Sequence, residues 1–173
     1  RVLGVIEEVH GPVVVGVHAA NGPILRKKVS ELTLDTFREQ FSVGLFGGFN
    51  FFSMLASLMK QRKKGVLIGI TTEAIESDTP TSGSFGGYIS AKFALKGLLS
   101  ELSGELKPHN IHVYTIAPGF IDGGLNRDLP QRLIEFIKEH APGGKLTEPN
   151  DVALAVSRLC SVELPGDTLA ATQ

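Results

Sequence analysis

Gly65-Val66-Leu67-Ile68-Gly69-Ile70-Thr71 is the stretch on which the fold turns. Its apolar residues are continuous, not alternating, which is the pattern of a strand covered on both faces in a parallel sheet. Val13-Val14-Val15-Gly16-Val17 repeats the pattern upstream, and Ile111-His112-Val113-Tyr114-Thr115-Ile116 supplies a third strand downstream. Between the first two strands, Thr33 is placed to cap a long helix with Asp35 in its first turn. Phe37, Phe41, Leu45, Phe49, Phe52, Leu55 and Met59 then recur at three- and four-residue spacing. Gly44, Gly47 and Gly48 fall mid-helix at about 1 kcal/mol each against Ala, so close approach by a neighbouring backbone or helix is expected there. A second helix carries Ala91, Leu95, Leu98, Leu99, Leu102 and Leu106, and Pro108 and Asn110 stop it.

This alternation predicts an α/β fold with a doubly wound parallel sheet, in one domain over residues 1–173 without internal repeat or linker. Residues 1–10 read as the tail of an amphipathic helix with Val2, Val5, Ile6 and Val9 on one face, ended by Gly11-Pro12. Further helices are expected after Pro130 (residues 131–140) and after Pro149 (residues 150–160), with a possible last strand at 166–171.

Composition narrows the function classes. The 173 residues are 42% hydrophobic and 20% charged, with a formal net charge of −1, an ordinary globular profile. The one dense basic cluster, Lys60-Gln61-Arg62-Lys63-Lys64, ends a helix and complements its dipole. Without an aromatic platform or second basic stripe, it points to no nucleic-acid partner. A single cysteine, Cys160, excludes an internal disulfide and suits a reducing, cytoplasmic setting. The five histidines are scattered, and no metal site is expected. No signal peptide and no apolar stretch long enough to span a bilayer is read, so no membrane partner is expected.

The chemistry concentrates in Ser84-Phe85-Gly86-Gly87-Tyr88-Ile89-Ser90-Ala91-Lys92. A tyrosine and a lysine four apart share one helix face, and a nearby ammonium is expected to lower the phenol's pKa. In parallel α/β sheets ligands bind beyond the C-terminal strand ends. The loops there are 18–23, 71–84 and 117–124, and the tyrosine helix follows directly on the second.

The ordered set of Tyr88-x-x-x-Lys92, the strand before it, and Ile116-Ala117-Pro118-Gly119 resembles the short-chain dehydrogenase/reductases, in particular the 3-oxoacyl-acyl-carrier-protein reductase type. The resemblance runs nearly end to end and covers about the C-terminal two-thirds of the family's Rossmann-like domain. It implies an NAD(P)-dependent oxidoreductase, a ketoreductase moving hydride to a carbonyl such as a 3-oxoacyl thioester. Tyr88 would be the general acid, Lys92 would hold the nicotinamide ribose and Thr72 would take the usual serine's place. Tyr88, Lys92, Pro118, Gly119, Ile121 and Ala20 would contact NADP or NAD, NADP being favoured. Residues 122–140 would form the substrate lid. A homodimer or homotetramer is implied, through the Phe-rich helix and the tyrosine helix.

The departures matter as much. His18-Ala19-Ala20-Asn21 stands where the family has Asn-Asn-Ala-Gly. The helix asparagine of the family's proton relay falls on Gly44, which has no side chain. The Gly-rich phosphate loop and first nucleotide-binding strands have no counterpart, and the residues that separate NADP from NAD fall with them. A sheet cut there would bare the apolar edge of 13–17, so omission of a segment is expected before either truncation or loss of cofactor binding. These departures motivate an alternative: a catalytically impaired reductase relative acting as a binding or assembly subunit.

Overall fold

The computed structural model describes residues 2–76 and 84–163. Three strands, β1 (Val15–His18), β2 (Gly65–Ile70) and β3 (Ile111–Ile116), form one sheet in that order, and both pairings are parallel. Val15 lies opposite Val66, and Gly65 opposite Ile111. The first strand starts two residues later than the sequence suggests. The Val13 N–H is taken instead by the Glu7 carboxylate, at 3.1 Å. The expected strand at 166–171 lies outside the described residues.

The unbroken apolar run of β2 has a direct cause in its two covered faces. Val66 and Ile68 point to one side, where Val156, Leu159 and Cys160 of α6 (Pro149–Glu163) pack. Leu67 points to the other, into a core with Phe52, Leu55 and Met59 of α3 (Gly48–Arg62) and Leu95 and Leu99 of α4 (Gly86–Leu106). Helices on both faces of a parallel sheet make the fold doubly wound.

The helix that begins at α2 (Leu34–Phe41) runs through a π-helical turn, Ser42–Gly47, directly into α3. Thr33 caps it as expected, its Oγ1 accepting from the Thr36 N–H at 3.2 Å while Thr36 Oγ1 accepts from the Thr33 N–H at 3.0 Å. Contrary to the sequence reading, this continuous helix, Leu34–Arg62, is long and apolar enough to cross a bilayer by length and composition. Its glycines do not interrupt it. One face of it, with Phe52, Leu55, Ala56 and Met59, is packed in the core.

The docked face of the first helix differs from its apolar face, whereas the stop of the tyrosine helix at Pro108 and Asn110 falls as expected. In α1 (Val2–His10) the apolar face is not the docked one: Val2 and Val9 are 73% and 68% exposed. Leu3 meets the core instead, and Glu7 one turn on accepts two hydrogen bonds from the Arg62 guanidinium, each 2.6 Å. The tyrosine helix ends at Leu106, and a 3-10 turn carrying Pro108 leads to Asn110 in the left-handed region at φ 56°.

Gly16 and Gly69 set how closely the helices approach the sheet. A Cβ on Gly16 would meet Leu55 of α3, and one on Gly69 would meet Leu99 of α4. Gly69→Ala is expected to destabilise the fold by roughly 1–3 kcal/mol through overpacking. Adding Leu99→Ala should give a double variant less destabilised than the sum of the two single changes. Urea unfolding of the four proteins checks this, and additive losses would disprove the contact.

Candidate active site

The strands stop together, and the loops beyond their C-terminal ends surround a cavity of about 370 Å³. Of the residues singled out in the sequence, Thr72, Tyr88, Lys92, Pro118, Gly119 and Ile121 all line it. Ala20 does not; its neighbours Ala19 and Asn21 do. Ile24, Ile70, Phe85, Ile89, Phe120 and Leu125 make the remaining wall largely apolar.

Thr72 is held at the start of a 3-10 turn, its Oγ1 accepting from the Ala74 N–H at 3.4 Å. The adjoining loop is fastened to the next strand's loop, since Thr71 N–H donates to Ile116 O and Glu73 N–H to Pro118 O, both at 2.8 Å. Thr72 and Tyr88 are thereby brought into side-chain hydrogen-bond contact. Lys92 lies one turn along α4 from Tyr88 and is only 5% exposed. Its ammonium donates to the carbonyl of Ile70, at the end of β2, at 2.9 Å, and lies 5.6 Å from the centroid of the Tyr88 ring.

The electrostatics differ from the sequence expectation in one respect. Burial pushes the Tyr88 phenol above its ordinary value, and the hydrogen bond with Thr72 only partly offsets this. The lysine does not bring it down, because its ammonium is aimed at Ile70 O and over the ring. Burial also lowers Lys92 itself, to about 8. The phenol is thus held as the acid, beside an amine that is charged at neutral pH.

Two groups near the end of β1 carry more than their sequence positions suggested. His18 is 7% exposed, and its imidazole is lowered first by burial and then by the positive charge of Lys92. Alternation along β1 turns Gly16 and His18 to the buried side, which was the available signal. Gly44 and Gly48, one turn apart, make room for side chains in place of a neighbouring backbone. A Cβ on Gly44 would lie 2.9 Å from Asn21 Oδ1, and one on Gly48 3.4 Å from the His18 ring, with Leu95 of α4 at 3.3 Å.

Arg26, which no local motif marks, braces three residues of the cavity wall, Phe85, Leu125 and Asn126. Its guanidinium donates to Leu125 O and Asn126 Oδ1, each at 3.2 Å, and lies 5.9 Å from the Phe85 ring centroid. It thereby ties the chain after β1 to the turn Gly124–Asn126, at the start of the expected lid and a hundred residues away.

Comparison with known proteins agrees with this geometry. A family model described as "Enoyl-(Acyl carrier protein) reductase" matches residues 2–169. A 3alpha-hydroxysteroid dehydrogenase of Mediterraneibacter gnavus is 31% identical over 73% of this chain and 50% of its own length. A 3-ketodihydrosphingosine reductase of Bos taurus is 32% identical over 74% of this chain and 39% of its own. The 3-oxoacyl-acyl-carrier-protein reductase MabA of Mycobacterium bovis is 28% identical over 93% of this chain and 64% of its own. Among solved structures, that of gox2181 covers 93% of this chain at a TM-score of 0.84 and 23% identity, and levodione reductase 94% at 0.83 and 19%. The chain belongs to the short-chain dehydrogenase/reductase family, whose members among these relatives are oxidoreductases, and has its Rossmann-like fold. It spans 39–64% of the length of these three sequence relatives.

The buried amine makes a stability prediction. Lys92 has a folded pKa near 8 against an ordinary 10.5, so between these values the unfolded chain binds more protons than the folded one. Stability therefore rises with pH across that interval, and the burial penalty is fully present below it. Relative to Lys92→Met, the wild-type unfolding free energy should climb by about 2 kcal/mol between about pH 8 and pH 10. Urea titrations at several pH values check this; parallel curves for the two proteins would contradict it.

Proposed function

We propose that the protein is an NAD(P)-dependent ketoreductase in which Tyr88 protonates the carbonyl oxygen of an apolar substrate. One observation carries the reading. The hydroxyls of Thr72 and Tyr88 engage each other in a largely apolar cavity at the strand ends, with the Lys92 ammonium one turn beneath.

The residues present fit the nicotinamide end of such a cofactor. The cavity joins a buried ammonium to a wall containing Pro118, Gly119 and Ile121. Lys92 would hold the ribose hydroxyls and those three residues the ring. When bound, the cofactor supplies the hydride.

The chain's own groups handle the proton. The Thr72 hydroxyl would donate to the substrate carbonyl and orient it against Tyr88. The raised pKa of Tyr88 keeps the phenol protonated near neutrality, the form that ketone reduction consumes. Once the proton has gone to the new alkoxide, the positive charge of Lys92 is the nearby group that stabilises the phenolate.

The apolar wall favours an uncharged ketone, and 3-oxoacyl thioesters are the first choice through the reductase resemblance. NADP is favoured over NAD on the same ground. A homodimer or homotetramer is supported by Phe46, Phe49 and Met54 on the long helix and Phe93 on α4, all exposed. A cytoplasmic location is proposed from the free, buried thiol of Cys160. The assembly-subunit alternative has less behind it, because Thr72, Tyr88 and Lys92 converge on one cavity.

The test is oxidation of NADPH and NADH with a 3-oxoacyl thioester, a 3-oxosteroid and a 3-ketosphinganine. Tyr88→Phe should lower kcat/KM by about 10²–10⁴-fold. Thr72→Ser should keep most activity, and Thr72→Val should not. Equal rates for the parent and Tyr88→Phe would refute the reading.

A further inference from the structure

We propose that Arg26 is a positioning residue: a latch that holds the turn Gly124–Asn126 and, through the Asn126 amide, the wall residue Ile121, and so sets which ketones the cavity admits. The selectivity part of the proposal rests on the ketoreductase reading above; the latch itself does not.

The base of the latch is fixed on both sides. Toward β1, Gln40 of α2 accepts from the Leu25 N–H on Oε1 and donates from Nε2 to Pro23 O, both at 3.0 Å. On the other side, Lys27 pairs with Phe85 in an isolated parallel bridge, and Val29 fills the space that a Cβ on Gly86 would need. Arg26 therefore extends from a strip of backbone pinned to α2 and to the start of α4.

The turn it reaches is held differently. Gly123 and Gly124, at φ 110° and 54°, adopt backbone conformations that side-chain-bearing residues rarely take. The hydrogen bonds from Asn126 N–H to Gly123 O, Leu129 N–H to Asn126 O and Arg127 Nε to Gly124 O all stay within the segment. Among the described residues, the two hydrogen bonds that leave 121–129 both come from Arg26, to Leu125 O and Asn126 Oδ1. The same Asn126 side chain donates from Nδ2 to Ile121 O at 3.0 Å. An amide that accepts on one atom and donates from the other passes position from the guanidinium to the Ile121 carbonyl. Ile121, Gly123, Gly124, Leu125 and Asn126 all line the cavity.

Holding this position leaves one group unsatisfied. The Arg26 Nε is buried and has no partner among the described residues. A buried donor left unpaired offsets much of what two hydrogen bonds to neutral acceptors contribute. Release of the turn would let water reach Nε, so the held and released forms differ by little free energy. A ketone that fits against Ile121 and Leu125 favours the held form, and without the guanidinium the turn yields to a wider one.

Hydrogen exchange reads the latch without turnover. In Arg26→Met, which keeps the aliphatic stem and loses the donors, the Asn126 and Leu129 amides should exchange at least about tenfold faster, with those of β2 unchanged. Arg26→Lys keeps one donor group and should restore part of the protection. Asn126→Leu severs the link from the other end, so adding Arg26→Met to it should change little further. Selectivity is read by comparing a 3-oxosteroid with a 3-oxobutanoyl thioester. Arg26→Met should raise the steroid-to-thioester ratio of kcat/KM by at least about tenfold, through KM, with kcat for the steroid within about threefold of the parent. A merely structural role would lower Tm and leave that ratio unmoved. Unchanged exchange at 126 and 129, or additive effects in the double variant, overturns the latch; an unchanged ratio beside faster exchange overturns its part in selectivity. Absence of reductase activity counts against the function proposed above, and the ratio is then read as Kd for the two ketones by equilibrium dialysis.

Discussion

The hydrogen bond from the Lys92 ammonium to the Ile70 carbonyl is the contact on which the rest of the site depends. Strand β2 is pinned on both edges by parallel neighbours and on both faces by helices, and it stops at Ile70. A buried charge without a hydrogen-bond partner is strongly unfavourable, so α4 must present Lys92 where that carbonyl is available. Once it does, Tyr88 one turn earlier comes to the same strand end, and Thr72 follows β2 by two residues. The geometry of the cavity is therefore set by the end of one buried strand.

That contact also determines the character of the phenol. An ammonium directed at the tyrosine oxygen would lower the phenol's pKa, but here its first partner is backbone. Burial is left to dominate, and the hydroxyl stays protonated. This protonation state suits donation to a carbonyl. It is also consistent with Lys92 being lowered, since both groups share the same poorly hydrated cavity.

The glycines divide into two kinds by what their missing Cβ admits. Gly16 and Gly69 admit leucines, and let α3 and α4 settle on the sheet. Gly44 and Gly48 admit Asn21 and His18, and so place polar atoms against the long helix where it passes the strand ends. The π-helical turn at Ser42–Gly47 falls at this place. On the opposite wall, Arg26 performs a comparable task by reaching the turn at Gly124–Asn126. Asn21 enters such a glycine notch at the cavity wall, and the Arg26 guanidinium braces the turn at the cavity's other side.

The sequence by itself determined the parallel sheet, the helices between its strands and the Tyr88–Lys92 pair on one helix face. Apolar continuity and helical spacing are local patterns, and each is written within one element. The capping of α2 by Thr33 was legible for the same reason. Only the tertiary structure decided which way the Lys92 ammonium points, and hence that the phenol's pKa rises where spacing alone suggested it would fall. It also decided that α1 docks through Leu3 and Glu7, not through its four-residue apolar face, because Arg62 and the Val13 N–H were positioned to take the carboxylate. Asn21 and Gly44 each read as an isolated departure until the fold set Asn21 Oδ1 2.9 Å from where a Cβ on Gly44 would stand. Burial, hydrogen-bond direction and the filling of a glycine's empty space are properties of neighbours distant in the chain, and no local pattern carries them.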